Sequence, residues 1–479
     1  MPGFKTVPNA ENQSRKPLIV QTEINPMHAQ SFMPLFGGFG WLAVMLILGV
    51  ILRAKIGFFQ KYLFPASIIG GIIGFILISV GWCNITHETF TLFAIHLFTL
   101  NFISIGLTGF EDTKRTAGSS IQKTIFRGML WMACLWAALY SLQGLISVGL
   151  IYVTNTFSTP IYEGIGYLVP SGFAQGPGQA VALASVWQGP FKIPDAISFG
   201  LTFAAVGFLV ASFVGVPLAN WGIRKGLTIN APKELPRDFI TGLAEKGKGI
   251  NAGQLTTHPG NIDGLAFQLA ILMAVYFLTY YECLGLQIIL PKTLKPLAFG
   301  LMFMWGMITA VIIRWLLGKI GLSVYIDNNV QRRITGVAVD FMIVATLMAV
   351  QVAAVWANII PIVVLCLASA IFTPLFLLYF ARRLDEFSFE RFIAIFGTST
   401  GTAASALLLL RIVDPEFKTP VVQEIGLMNI FLLLLLPTSI VTYTLPKIGL
   451  GTGVLISVIV IVISLILLKV LKLWKKPVW

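Results

Sequence analysis

Apolar runs of about twenty residues, bounded by basic or turn-forming residues, recur along the whole of this 479-residue chain. One is VLISVIVIVISLILLKVL, residues 454–471. A run of that length matches the hydrocarbon thickness of a bilayer, where each backbone amide must find its partner within the protein. Only helices and closed barrels meet that demand. The runs do not alternate with a period of two, so the barrel is excluded. Hydrophobic residues make up 56% of the chain and charged ones 11%, against about 25% charged in a soluble protein. The fold class is therefore an all-α, polytopic membrane protein. A formal net charge of +13 would suit a nucleic-acid partner. The lysines and arginines instead sit in loops beside the apolar spans, as topogenic charges do, and no nucleic-acid partner is expected.

Eleven spans are expected, at 33–53, 62–82, 91–110, 128–153, 197–220, 264–290, 296–317, 334–356, 359–381, 424–446 and 452–473. Two further apolar stretches are broken by glycine. VPSGFAQGPGQAVALASVW contains Gly172, Gly176 and Gly178; IFGTSTGTAASALLLL contains Gly397 and Gly401. The pieces beside each break have about eleven residues, roughly 16 Å as helix against a core of about 30 Å. Read as re-entrant hairpins at 161–189 and 388–412, they leave 26 of the 33 lysines and arginines on one side. That side is expected to be the cytoplasm, with the N-terminus outside and the C-terminus inside the cytoplasmic membrane. If both stretches crossed, the charge alternation would fail at the basic loops 224–248 and 314–333.

The same count exposes an internal repeat. Residues 33–221 and 263–447 each read as four spans, a hairpin and a fifth span. An odd number of crossings inverts the second unit, so the hairpins enter from opposite faces. Pro65 and Pro296 both open the second span of their unit. A mobile tail (1–32), a cytoplasmic linker (222–262, with 234–238 as a solvated turn) and an extra helix (448–479), read as featureless and lipid-facing, complete the chain.

Matched breaks in two repeats are a sequence pointer to a solute site, because unwound backbone at membrane depth needs a protein or aqueous lining. Helix N-termini there suit an anion, whereas carbonyls and hydroxyls suit a cation. The candidate substrate-binding residues are Ser171, Gly172, Gln175, Gly176, Gly178 and Gln179 in the first stretch. In the second they are Gly397, Thr398, Ser399, Thr400, Gly401, Thr402 and Arg411, whose guanidinium could grip a carboxylate bidentately. The candidate ion-binding residues are Asn101, Ser104, Thr108, Ser399, Thr400, Asp340, Glu424 and Asn429. Bland readings stand beside these: small-residue helix packing for the glycines, self-capping for the hydroxyls, snorkelling for Arg411 and helix–helix glue for the polar groups.

The four cysteines, Cys83, Cys134, Cys283 and Cys366, are far apart and imply neither a disulfide framework nor a metal centre. No phosphate-binding G-x-x-x-x-G-K-[ST] run occurs. Neither ATP drive nor an enzymatic role is expected, nor any cofactor beyond a coupling ion.

At this point the chain resembles the bacterial glutamate:sodium symporter family, in a divergent branch, and more distantly the sodium-coupled 2-hydroxycarboxylate (citrate) carriers. The resemblance rests on Lys61–Tyr62 followed by FPASIIGG (Pro65, Gly70, Gly71) and on FISIGL ending at Leu107. It rests also on SVYIDNNVQRRITGVAVDFMIVATLMAV and on both glycine breaks, and it runs nearly through the tenth span. It implies a five-plus-five inverted repeat, a homodimer, an elevator motion and coupling of an anionic substrate to Na⁺. The family's first hairpin reads close to GGHGT, whereas Ser171–Gln179 here contains no histidine. The resulting expectation is Na⁺-coupled symport of a small carboxylate, glutamate first. The alternatives are a Na⁺/H⁺ exchanger using Asp340 and Glu424, and a channel.

Overall fold

The computed structural model describes residues 26–108, 119–231, 236–243, 253–258, 260–292, 294–415, 417–431 and 436–479, and every regular element among them is helical. The expected tail falls outside that set up to residue 25; its last residues already belong to α1 (Pro26–Lys55). α2 (Gly57–Lys61), α3 (Ala66–Ser79), α4 (His87–Leu107) and α5 (Ser119–Thr154) follow. A 3-10 turn (Glu163–Tyr167) leads into α6 (Leu168–Phe173), and after a break comes α7 (Pro177–Gln188). α8 (Ala196–Phe213) and α9 (Gly215–Arg224) form one 29-residue span. Short α10 (Arg237–Thr241) receives a hydrogen bond from α1, Arg53 Nη2 to Phe239 O at 3.0 Å.

The second half opens with α11 (Gly264–Ile289), capped by the Asp263 carboxylate, which accepts from the amides of Leu265 and Ala266. Next come α12 (Lys295–Gly300), α13 (Met302–Lys319), α14 (Asn328–Ala349), α15 (Val352–Ala357) and α16 (Ile359–Ala381). α17 (Ser388–Ser399) and α18 (Ala403–Val413) flank the second break. α19 (Val421–Phe431), α20 (Leu436–Ile448) and α21 (Leu450–Val470) close the chain.

Eight helices among the described residues are long and apolar enough to cross a membrane, and the chain is a multi-pass membrane protein. The three other expected spans differ for local reasons. Around 62–82, Pro65 starts the helix and Val80–Gly81 ends it, leaving 14 residues, about 21 Å. The run 334–356 is interrupted, because α14 stops at Ala349 and Val350 and Gln351 are extended. His87 Nδ1 donates to Met348 O at 2.9 Å, satisfying one carbonyl that the interruption frees. The run 424–446 is divided between α19 and α20, with 432–435 outside the described residues.

The helices form two bodies that also pack against each other, Val181 of α7 and Leu201 of α8 sharing an apolar cluster with Phe98 of α4 and Met342 of α14. In the first, the pairings are reciprocal. α4 packs on α13 and α14, α14 on α3 and α4, α1 reaches α14, and α11 reaches α4. Small residues allow the close crossings, as where Gly106 of α4 lies against Met307 O and Ala310 of α13. In the second body α5 packs against α16, joined by Gln143 Nε2 donating to Thr373 Oγ1 at 2.7 Å. Around them lie α6–α9, α17–α19 and α21, sharing the largest apolar cluster. α21 is not featureless: Gly453, Ser457, Ser464 and Leu468 are buried, while Leu455, Val462 and Ile466 on its other side stay exposed.

Candidate functional site

Four glycines on the α8–α9 span, Gly200, Gly207, Gly215 and Gly222, recur every seven or eight residues, two helical turns each. They make one smooth strip, and the strip reads the molecule from end to end. Gly200 lies against Ala180 O and Ala184 of α7. Gly207 lies against Phe173 at the end of α6 and Thr400 O beyond α17. Gly215 meets Phe396 and Leu409, and Gly222 meets the ring of Phe389 at the start of α17. α6–α7 and α17–α18 are thus two helical hairpins laid end to end along one span, with their tips meeting beside Gly207. The strip covers about 33 Å, close to a hydrocarbon thickness.

Each hairpin doubles back locally. At the open end of the first, the rings of Tyr162 and Trp187 lie 6.1 Å apart. In the second, Gly397 packs directly on the Ala406 backbone. The tips touch where Gly176 faces Gly401 O and the Thr402 methyl. Gly176 has φ +81°, a left-handed conformation that a side chain disfavours, and a Cβ would also strike Thr402. Helices α7 and α18 begin at this contact, from Pro177 and Ala403. Neither start receives a hydrogen bond from a capping side chain, although Thr402 occupies the cap position of α18. Three buried oxygens near the tips lack a partner among the described residues: Gln175 Oε1, Ser399 Oγ and Thr402 Oγ1.

The remaining expected residues divide into those at the tips and those engaged elsewhere. Gly178 sits under the Phe98 ring of α4, and Gly172 packs on Phe203 and Ala204. Ser171 is satisfied by Tyr167 O (3.0 Å) and the Tyr140 hydroxyl (2.9 Å). Gln179 Nε2 donates to the Tyr443 hydroxyl at 3.3 Å. Thr398 and Thr400 donate to Ala394 O and Phe396 O of their own helix, the self-capping alternative. Arg411 occupies the last turn of α18, about 12 Å along the axis from Ala403. It is exposed there, facing the rings of Phe417 (5.0 Å) and Phe239 (5.9 Å).

The ion-binding candidates do not form one cluster. Ser104 donates to Gln331 O at 2.7 Å within the first body, and Thr108 donates back to Ser104 O. Asn101 is buried with an unpartnered Oδ1. Asp340 lies on the exposed side of α14. Asn429 belongs to α19, and its side chain lies outside the described residues. Glu424 is fully buried and gripped bidentately by Arg391, at 2.6 and 2.8 Å. Arg391 spends its other donors on Glu386 O and Thr124 O.

Sequence reasoning passed over Gly207 and Arg391. Both left signals: the two-turn glycine spacing of 200–222, and a charged residue inside an apolar broken stretch. Tyr140 and Tyr443, which satisfy Ser171 and Gln179, left none.

The family model described as sodium/glutamate symporter matches residues 39–385. The match ends just ahead of the second hairpin. No curated protein and no solved structure matches the chain.

Proposed function

Because this chain belongs to the sodium/glutamate symporter family, we propose that it carries glutamate across the cytoplasmic membrane together with Na⁺, and that both bind where the two hairpin tips touch. The observation that carries this reading is the meeting of two helix starts without side-chain caps beside Gln175 Oε1, Ser399 Oγ and Thr402 Oγ1. Buried oxygens are almost always hydrogen-bonded, so these three around one contact are free to coordinate a ligand there. Amides at the starts of α7 and α18 suit the substrate's carboxylates. Hydroxyl and carbonyl oxygens suit a hard monovalent cation.

Anion recognition then falls mainly on helix ends. The first hairpin has no lysine or arginine. In the second, Arg391 is committed to Glu424 and Arg411 lies at the far end of α18. The exchanger reading gains no support, since one of its two acids is locked in an ion pair.

In this proposal the two halves are inverted repeats, and the hairpins are re-entrant from opposite faces. The reciprocal pairing of α3, α4, α13 and α14 supports a two-fold relation. The hairpin-bearing body moves as an elevator against the first body within a homodimer. Na⁺ orders the tips before or together with substrate, so that only the empty or fully loaded carrier moves.

Purified protein in liposomes tests the reading. Radiolabelled glutamate should accumulate under an inward Na⁺ gradient, stop when K⁺ or choline replaces Na⁺, and show counterflow, which a channel cannot. Ser399→Ala with Thr402→Ala should raise the Na⁺ concentration for half-maximal uptake several-fold. Glutamate uptake indifferent to Na⁺ would falsify the coupling.

A further inference from the structure

The segment that follows α21 does not trail into solvent. It crosses the connection between α16 and α17 and ends against the first residues of the second hairpin. Its backbone pairs with that connection twice, Lys475 N to Arg383 O at 3.1 Å and Val478 N to Arg382 O at 2.6 Å. The Lys475 ammonium pairs with Asp385. Trp474 stacks edge-on against Phe380 at 5.0 Å. Trp479 ends up among Trp221, Phe389 and the guanidinium of Arg382. Its indole Nε1 donates to Ser388 Oγ at 2.8 Å, and Arg382 Nε donates to its backbone oxygen at 2.7 Å.

The connection held in this way is the place where α17 would pivot. Phe387, which precedes α17, has φ +47°, a left-handed conformation that costs a bulky residue energy. No side chain caps the helix there. Neighbouring elements hold the same connection: Arg391 donates to Glu386 O at 2.7 Å, and Thr124 Oγ1 of α5 donates to the Glu386 carboxylate at 3.2 Å. A strained backbone position persists only while its surroundings hold it, so loss of one of these holds favours a change at Phe387. The Arg391 clamp is buried, whereas the Lys475–Asp385 pair is about half exposed. The outer clamp is therefore the one that can open.

We propose that residues 472–479 are a latch on the second hairpin: with Trp479 seated, α17 is fixed about Phe387, and with Trp479 withdrawn the hairpin opens toward the face that carries the basic loops. The proposal rests on the second hairpin forming one wall of the solute site, and it adds a control at the opposite end of that hairpin.

Two measurements test it in the full chain. The native cysteines are buried, so a cysteine at Thr402 can report access to the tips. Trp479→Ala should raise its labelling by a membrane-impermeant thiol reagent, applied from the basic face, at least fivefold. Separately, Arg382→Cys with Val478→Cys should oxidise to a disulfide, since their backbones are already hydrogen-bonded. The locked protein should lose at least tenfold in Na⁺-driven glutamate uptake and regain it on reduction. Unchanged labelling together with native uptake by the locked protein overturns the latch. If Trp479→Ala fails to reach the membrane, the lock, which keeps Trp479, decides alone. Glutamate uptake by the unaltered protein is the separate check on the symport reading, so the two can fail independently.

Discussion

Gly207 is the residue on which the most geometry converges. A Cβ there would lie 2.9 Å from Thr400 O and 3.2 Å from Phe173 Cα, both backbone positions at the hairpin tips. Backbone cannot rotate away as a side chain can, so even a methyl group overpacks the contact, at about 1–3 kcal/mol. Gly207→Ala should therefore reduce uptake by tenfold or more, and Gly207→Leu should abolish it while the protein still reaches the membrane. Gly336→Ala, in α14 where a Cβ meets nothing within 4 Å, is the control and should match the parent. Equal activity of Gly207→Ala and Gly336→Ala would remove Gly207 from the site. Arg411 gives the opposite expectation. It reads from sequence as a carboxylate anchor, but its guanidinium faces Phe417 and Phe239 at the far end of α18. Lysine keeps the charge, so Arg411→Lys should leave the apparent glutamate constant within about twofold; a tenfold rise would return Arg411 to the substrate.

At the scale of elements, the second hairpin is anchored by one buried ion pair between α17 and α19. Glu424 packs against Gly128 of α5, and among the described residues only Arg391 compensates its charge. Removing one partner of such a pair typically costs 3–5 kcal/mol, whereas replacing both with apolar residues is often neutral. Arg391→Ala should thus lower the thermal unfolding midpoint in detergent markedly. Arg391→Met combined with Glu424→Leu should recover most of the loss. Failure of the double replacement to recover would mean that Glu424 has a role beyond pairing. Both helix breaks were legible in the sequence, because Gly176, Gly401 and the surrounding Ser, Thr and Gln interrupt otherwise apolar runs. The interruption at Val350–Gln351 was not, since no glycine or proline marks it and its freed carbonyl is met by His87, 261 residues distant. The buried side of α21 was hidden for a related reason. Gly453, Ser457 and Ser464 register as a packing stripe only once α5 and Tyr167 are known to lie opposite.

For the whole molecule, the decisive issue is where the two ends of each hairpin lie relative to the α8–α9 span. Contacts along that span pass from α7 at Gly200, through both tips at Gly207, to the start of α17 at Gly222. Since 29 residues of helix are long enough to cross a bilayer, the proposed function places the open ends of the two hairpins at opposite membrane faces. Charge placement in the sequence leads to the same arrangement by a separate route, through the basic loops that would change sides if the glycine-broken stretches crossed. Single cysteines at three exposed positions decide it. Thr159 precedes the first hairpin, Lys192 follows it, and Arg224 ends α9. The four native cysteines are buried and contribute little background. Thr159→Cys and Lys192→Cys should react with an impermeant thiol reagent from the same face, and Arg224→Cys from the other. If Thr159→Cys and Lys192→Cys react from opposite faces, the first stretch crosses completely, its tip no longer stops at mid-depth, and the meeting of the two breaks could not be a solute site reached from both sides in turn.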